Sequence, residues 1–227
     1  MKILGIDTST ASLSIALTVD GVLKYELNQN HALTHSERLM PYIATMMKAI
    51  GTSMEEVDKF ACTVGPGSFT GVRIGVSVAN AFSLALNKEV VGISTLEAMA
   101  YSHRFCEDVI LATTDAQRGN FYAAFYRRDE ETPGGLKSLS GESVLSVKEL
   151  EEKIALYPRV ILTGDAVKLW EEVPSNAVKA PCDLCFPRAS SVCLLSLQKE
   201  GEGYIEPVYL RKSQAELQFE ERTGKGL

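Results

Sequence analysis

Long basic runs are missing from this 227-residue chain. Its 23 Lys and Arg residues are outnumbered by 29 Asp and Glu, for a formal net charge of −6. The largest basic clusters are the pairs Arg127-Arg128 and Arg211-Lys212. Proteins hold a nucleic-acid backbone with clustered cations that release counterions, so this chain is expected not to grip one unaided. Histidine is scarce, at three residues, and no Ser–His–Asp or Cys–His set assembles around them. The five cysteines are odd in number and lack the spacing of a disulfide framework, which suits a reducing compartment. Cys182 and Cys185 form one CxxC, but zinc would need two more ligands and only Cys193 lies nearby. No apolar stretch reads as long enough to span a bilayer. The opening Met-Lys-Ile-Leu-Gly-Ile-Asp enters a strand without a signal-peptide cleavage site. The expectation is a cytoplasmic protein without a membrane partner.

What is present is an ordinary globular composition, 45% hydrophobic and 23% charged, sufficient for a core. An apolar run at 2–6 leads into Asp7-Thr8-Ser9-Thr10. Leu13, Ile15, Leu17 and Val19 then alternate as in a half-buried strand. Asp20-Gly21 marks a hairpin and 22–27 a third strand, giving an antiparallel meander. Thr34-His35-Ser36-Glu37 has the pattern of a capping box. Leu39, Ile43, Met46 or Met47, and Ile50 follow at helical spacing, with Gly51 as the stop and a kink expected at Pro41. A strand at 60–64, an apolar helix at 69–86 and a strand at 90–93 predict parallel pairing.

The second half echoes the first. A strand at 109–114 ends in Asp115, and Phe121, Ala123 and Phe125 alternate after it. An offset of 108 maps Asp115 onto Asp7, Phe121 onto Leu13 and Phe125 onto Leu17, which suggests duplicated lobes. A Pro-Gly-Gly turn at 133–135, helices near 146–154 and 190–199, and a strand at 160–162 running into Gly164-Asp165 complete the pattern. The expected division is an N-terminal lobe at 1–105, a smaller C-terminal lobe at 106–215 and a polar, frayed tail at 216–227.

Gly65-Pro66-Gly67-Ser68 joins a strand to a helix start, where backbone N–H groups can meet an anion. No Lys-Ser/Thr pair follows, so it is not a Walker A loop; a tight turn with close helix packing is the equal alternative. Asp7, Ser9, Gly65, Gly67, Ser68 and Asp115 are the candidate phosphate or nucleotide-junction residues. Against this, Asp7 has no glycine after it, and both acids could instead hold turns through side-chain-to-backbone hydrogen bonds. Arg73 lies early in the helix, against its dipole, and so calls for a partner such as a carboxylate or phosphate. Gly71, Gly75 and Ala79 make a smooth stripe for close approach; Thr70, Arg73, Ser77 and Asn80 make a second stripe with one charge. Together with Met40 and Met47 on the preceding helix, that second stripe is the candidate partner-binding surface. His31 and His35 would share a helix face, but the helix start at Thr34 falls between them, so no metal is expected.

Four stretches carry a resemblance. Ile-Asp-Thr-Ser at 6–9, the run from Gly65 through Phe69-Thr70-Gly71-Val72-Arg73-Ile74 to Gly75, Asp115-Ala116-Gln117-Arg118-Gly119, and Pro207-Val208-Tyr209-Leu210-Arg211 resemble the TsaB (YeaZ) family in order and spacing. The resemblance implies an actin-like, sugar-kinase-like (RNase H-like) α/β fold with duplicated lobes, mixed sheets and a degenerate C-terminal lobe. It implies a non-catalytic scaffold for the complex that forms threonylcarbamoyladenosine in tRNA. Its partners would be the TsaD-type transferase paralogue and the TsaE-type ATPase. A homodimer is possible alone, and tRNA would be met only through the complex. No cofactor is expected, beyond a weak or shared nucleotide at a subunit junction. The paralogue's metal-binding histidine pair would fall at Thr95 and Met99, neither a usual ligand for a catalytic metal. The alternatives are an ATPase, sugar kinase or metallopeptidase-like enzyme in its own right, and a direct tRNA-binding module.

Overall fold

The computed structural model describes residues 1–30, 34–170 and 172–211. The meander forms as β1 (Lys2–Asp7), β2 (Ser12–Val19) and β3 (Val22–Asn30). Helix α1 (His35–Ile50), β4 (Lys59–Gly65), α2 (Phe69–Leu86), β5 (Glu89–Ser94) and α3 (Thr95–Tyr101) follow. The second half contains β6 (Val109–Asp115), β7 (Asn120–Arg128), β8 (Leu136–Ser138), β9 (Ser143–Ser146), α4 (Val147–Ile154) and β10 (Val160–Thr163). A 3₁₀ turn at Asp165–Leu169, β11 (Ala177–Lys179) and α5 (Ala189–Ser196) complete it.

The two sheets share one topology. The first runs β3-β2-β1-β4-β5 and the second β11-β10-β6-β7-β8, with β9 also on β7. In each, the opening strand pairs antiparallel with the next in sequence and parallel with the strand after the first helix. This is the duplicated actin-like α/β architecture. The repeat has a one-residue slip, however. Leu4 pairs with Leu17 but Leu111 with Phe125, and Asp7 faces Ser14 where Thr114 faces Tyr122. The 108 offset holds for the return strands, while the opening strands are related by 107. Thr114, not Asp115, therefore stands at Asp7's ladder position, and a slip of one places a side chain on the opposite face.

Helices α1 and α2 cover the outer face of the first sheet. Leu39, Ile43, Met46, Val72 and Val76 meet Leu4, Ile6, Leu13, Ile15 and Leu17 there. Between the sheets, α3 and α5 bury Leu96, Met99, Val192 and Cys193 against Ile3, Ala16, Ile110 and Ala124. Helix α4 closes the outer face of the second sheet through Leu150 and Ile154. Burial at these positions amounts to roughly 1.5–3 kcal/mol for each large side chain.

Several local expectations need correction. The capping box at Thr34 forms only in part: its hydroxyl donates to Glu37 Oε2 at 2.9 Å, with no side-chain cap on a backbone N–H. A complete box appears at Ser146 and Glu149 instead. Helix α1 runs through Pro41, whose carbonyl accepts a bond from Thr45 Oγ1 at 2.9 Å. Helix α2 has 18 residues and one charge, so one apolar segment does reach the shortest membrane-spanning length; here Val72, Val76 and Ala79 pack into the core. The lobe assignment also changes. The sheets divide between Ser94 and Val109, yet α5 and the segment 202–211 pack back on the first lobe. The expected tail lies outside the described residues, as does His31.

Candidate functional site: an interlobe cleft and the outer face of α2

The turn after β1 and the turn after β4 are built into each other. Ser68 N donates to the Ser9 carbonyl at 2.7 Å, and Thr8 Oγ1 donates to the Gly71 carbonyl at 2.7 Å. A Cβ on Gly67 would collide with the Ser9 carbonyl, and one on Gly71 with the Thr8 carbonyl. The glycines thus admit the chain's own backbone, which is the packing alternative for this motif. Ser68 also caps α2, accepting from Gly71 N at 3.2 Å.

Asp7 is fully buried beneath this junction. Its Oδ1 accepts from Ser9 N (3.2 Å), Ser9 Oγ (2.6 Å) and Thr63 Oγ1 (2.6 Å), while Oδ2 has no hydrogen-bond partner among the described residues. Burial pushes its pKa from 3.8 up to about 6, against the pull of those hydrogen bonds and of His35. Asp115 is exposed and accepts from Gln117 N at 2.6 Å. Both acids therefore hold i-to-i+2 turns.

A cleft of about 1040 Å³ opens between the lobes. Of the candidate residues it is lined by Ser9, Gly67, Ser68, Thr70, Arg73 and Asp115; Asp7 and Gly65 do not line it. The second lobe adds Asp165, which is not among the residues predicted from sequence. Burial raises its pKa, opposed by hydrogen bonding from Thr114, and its Oδ1 is buried without a partner among the described residues. Gly164 before it has φ +118° and follows β10, and Gly65 has φ +111° and ends β4, the strand at the same place in the first sheet's order. That matched pair of glycines was the available signal. Arg118 and Arg211 also line the cleft, and Arg211 Nη1 donates to the Ala116 carbonyl at 2.8 Å. His35 donates from Nε2 to the Thr10 carbonyl at 2.9 Å, so in this arrangement that nitrogen is not a metal donor.

The proposed partner-surface residues separate into two groups. Met47 is 6% exposed and belongs to the core, because Met46 and Met47 both fall on the sheet-facing side of α1. Asn80 is engaged: its Nδ2 donates to the Ile205 carbonyl (2.9 Å) and its Oδ1 accepts from Ile205 N (3.0 Å). Met40, Thr70, Arg73 and Ser77 are exposed. They adjoin Ala81, Ala85 and Leu84, the last 84% exposed, so the outer face of α2 carries Arg73 as its single charge. Arg73 finds an aromatic partner where a carboxylate or phosphate was expected. Its Nε donates to Tyr209 Oη at 2.7 Å, and its guanidinium lies 3.7 Å over Phe69. Thr95 and Met99 are both fully buried in α3.

Comparisons with known proteins agree on a group. Residues 28–218 match the family described as TsaD, tRNA N6-adenosine threonylcarbamoyltransferase. The chain is 32% identical to the tRNA threonylcarbamoyladenosine biosynthesis protein TsaB of Escherichia coli, over 95% of this chain and 96% of that one. Identity to the Bacillus subtilis protein of the same name is 28%, over 96% and 98%. Among solved structures, YeaZ from Pseudomonas aeruginosa superposes with a TM-score of 0.74 at 26% identity, covering 92% of this chain and 99% of that chain. The ethanolamine utilization protein EutJ of Carboxydothermus hydrogenoformans shares the fold, at TM-score 0.53 and 10% identity over 86% and 89% of the two chains.

Proposed function

Because the chain belongs to the TsaB (YeaZ) family, we propose that it acts in tRNA threonylcarbamoyladenosine formation as a non-catalytic scaffold, docking a TsaD-type transferase. The observation that carries this reading is the outer face of α2. Ser77, Ala81, Leu84 and Ala85 are exposed, along with Met40 on α1. A solvated helix face ordinarily carries several Lys or Glu residues, and an apolar exposed face on a folded protein favours another protein. The paralogue would supply an equivalent helix pair, and two copies of this chain could pair by the same face when the transferase is absent. A TsaE-type ATPase would join that assembly in the cytoplasm, and tRNA would enter through the complex.

The cleft supports the non-catalytic half of the reading. A phosphate loop needs glycines whose backbone is open to the ligand. Here the Cβ sides of Gly67 and Gly71 face the Ser9 and Thr8 carbonyls, and Gly71 N donates to Ser68 Oγ. Binding to the purified transferase by calorimetry is the direct test. Ser77→Glu and Leu84→Glu should each weaken it about tenfold, since a charge would lose water without gaining a partner. Both should leave Tm within a few degrees, since both residues are exposed. Unchanged affinity in both variants would reject this surface. Phosphate release from ATP and magnesium that vanishes in Asp7→Ala would reject the scaffold reading in favour of an ATPase.

A further inference from the structure

The segment 202–211 is a strap laid over the first lobe. Val90 and Glu202 exchange backbone hydrogen bonds at 2.9 and 2.8 Å, extending the sheet beyond β5. Asn80 grips Ile205 by both its donor and its acceptor. Val208 N donates to the Val64 carbonyl at 2.7 Å, and the Val208 carbonyl would be 2.6 Å from a Cβ on Gly65, so only glycine fits beneath it. The strap delivers the Tyr209 ring 4.9 Å from Phe69, and Arg73 is seated against both rings. No carboxylate pairs with Arg73 among the described residues.

We infer that the strap holds Arg73 as a preorganised fork for a carboxylate on the protein that docks against α2; this rests on the partner face proposed above. Three observations converge. Arg73 is the single charge on an otherwise uncharged face. It opposes the dipole of its own helix, so the fold itself gains little from its charge there. Its Nε and its ring stacking are satisfied internally, which fixes the guanidinium plane while the side chain stays exposed. A planar fork held in one orientation suits bidentate carboxylate recognition, and holding it before contact reduces the ordering cost of binding. The partner chemistry is thus an acidic side chain set in an apolar helix face. Tyr209 and Asn80 are positioning residues that act through Arg73.

The test measures affinity for the purified transferase across a salt series with full-length chains. Arg73→Gln should weaken binding about tenfold and flatten its salt dependence. Arg73→Lys should recover less than half of that loss, because a flexible ammonium neither stacks nor forks. Tyr209→Phe keeps the ring and removes only the hydroxyl, and should weaken binding about threefold with the salt slope retained. Asn80→Ala should do the same from a site that does not line the cleft. If the wild-type chain does not bind the transferase, the partner reading itself fails. If it binds and Arg73→Gln changes neither affinity nor salt slope, the partner reading survives and the carboxylate anchor is overturned. Full rescue by Arg73→Lys would overturn the preorganisation. Loss of the Arg73 contribution in saturating inorganic phosphate would reassign the residue to an anion of the cleft and overturn the inference.

Discussion

The two lobes have the same strand order and differ in what they place between the strands. After β4 the first lobe inserts α2, 18 residues long; after β10, which holds the same place in its sheet, the second inserts the five-residue turn Asp165–Leu169. The opening turns differ in the same sense. In the first lobe Asp7 is sealed under the β4–α2 turn, with Gly67 and Gly71 filled by backbone. In the second, Asp115 is exposed and a Cβ on Gly119 would meet nothing within 4 Å among the described residues. A duplicated fold has thus kept its ladders in both halves and its helical layer mainly in one. The half that kept the helices is also the half with an uncovered helix face.

The sharpest way to break this comparison is to add one carbon atom to each lobe's turn. Gly71→Ala should cost about 3 kcal/mol or more, because the added Cβ meets the Thr8 backbone, which cannot yield cheaply. Gly119→Ala meets nothing within 4 Å among the described residues and carries only the strain of φ +74°, so about 1 kcal/mol is expected. Urea denaturation reads both. Similar losses would mean that the first-lobe turn is as open as the second.

A pH-dependent effect is expected from Asp7. Asp7 binds its proton more tightly folded, at about 6, than at its ordinary 3.8. Stability should therefore fall by up to about 3 kcal/mol as pH rises through that window, and stay lowered above it. Asp7→Asn should remove that slope in denaturation series across the window. Equal slopes in variant and wild type would show that the ionised carboxylate is stabilised in a way this environment does not provide. The smallest effect is expected from Asp115→Ala. It loses one exposed turn hydrogen bond and should shift stability by about 0.5–1 kcal/mol.

Most of the ladders were legible because period-two alternation at Leu13, Ile15 and Leu17, and at Phe121, Ala123 and Phe125, reports burial directly. Helix α2 was legible for its length. The seven-residue α3 and the three-residue β8 and β11 were not, since so short an element shows no period. Within the site, the close approach at Gly67 and Gly71 was one of two readings that the spacing allowed. What spacing could not reveal was the slip of one residue between the opening strands. That slip makes Thr114 the counterpart of Asp7 and leaves Asp115 exposed. Met47 was misplaced because adjacent methionines both fit the apolar arc of α1. The roles of Asn80 and Arg73 depend on a strap more than 120 residues away, beyond any local pattern.

Helix α5 has a consequence for how the protein is made. It lies so close on β1 that a Cβ on Gly5 would stand 2.5 Å from the Ala189 carbonyl, and Ala189 N donates to Ser14 Oγ at 2.8 Å. Ser190 N donates to Glu26 Oε1 at 3.0 Å, and Arg188 pairs with the same carboxylate. The inner side of the first sheet is therefore finished by residues synthesised more than 160 positions after it. A nascent chain leaving the ribosome has Ile3, Ala16 and Glu26 without their cover until α5 emerges. For that interval it is a natural client for chaperones that shield apolar strands.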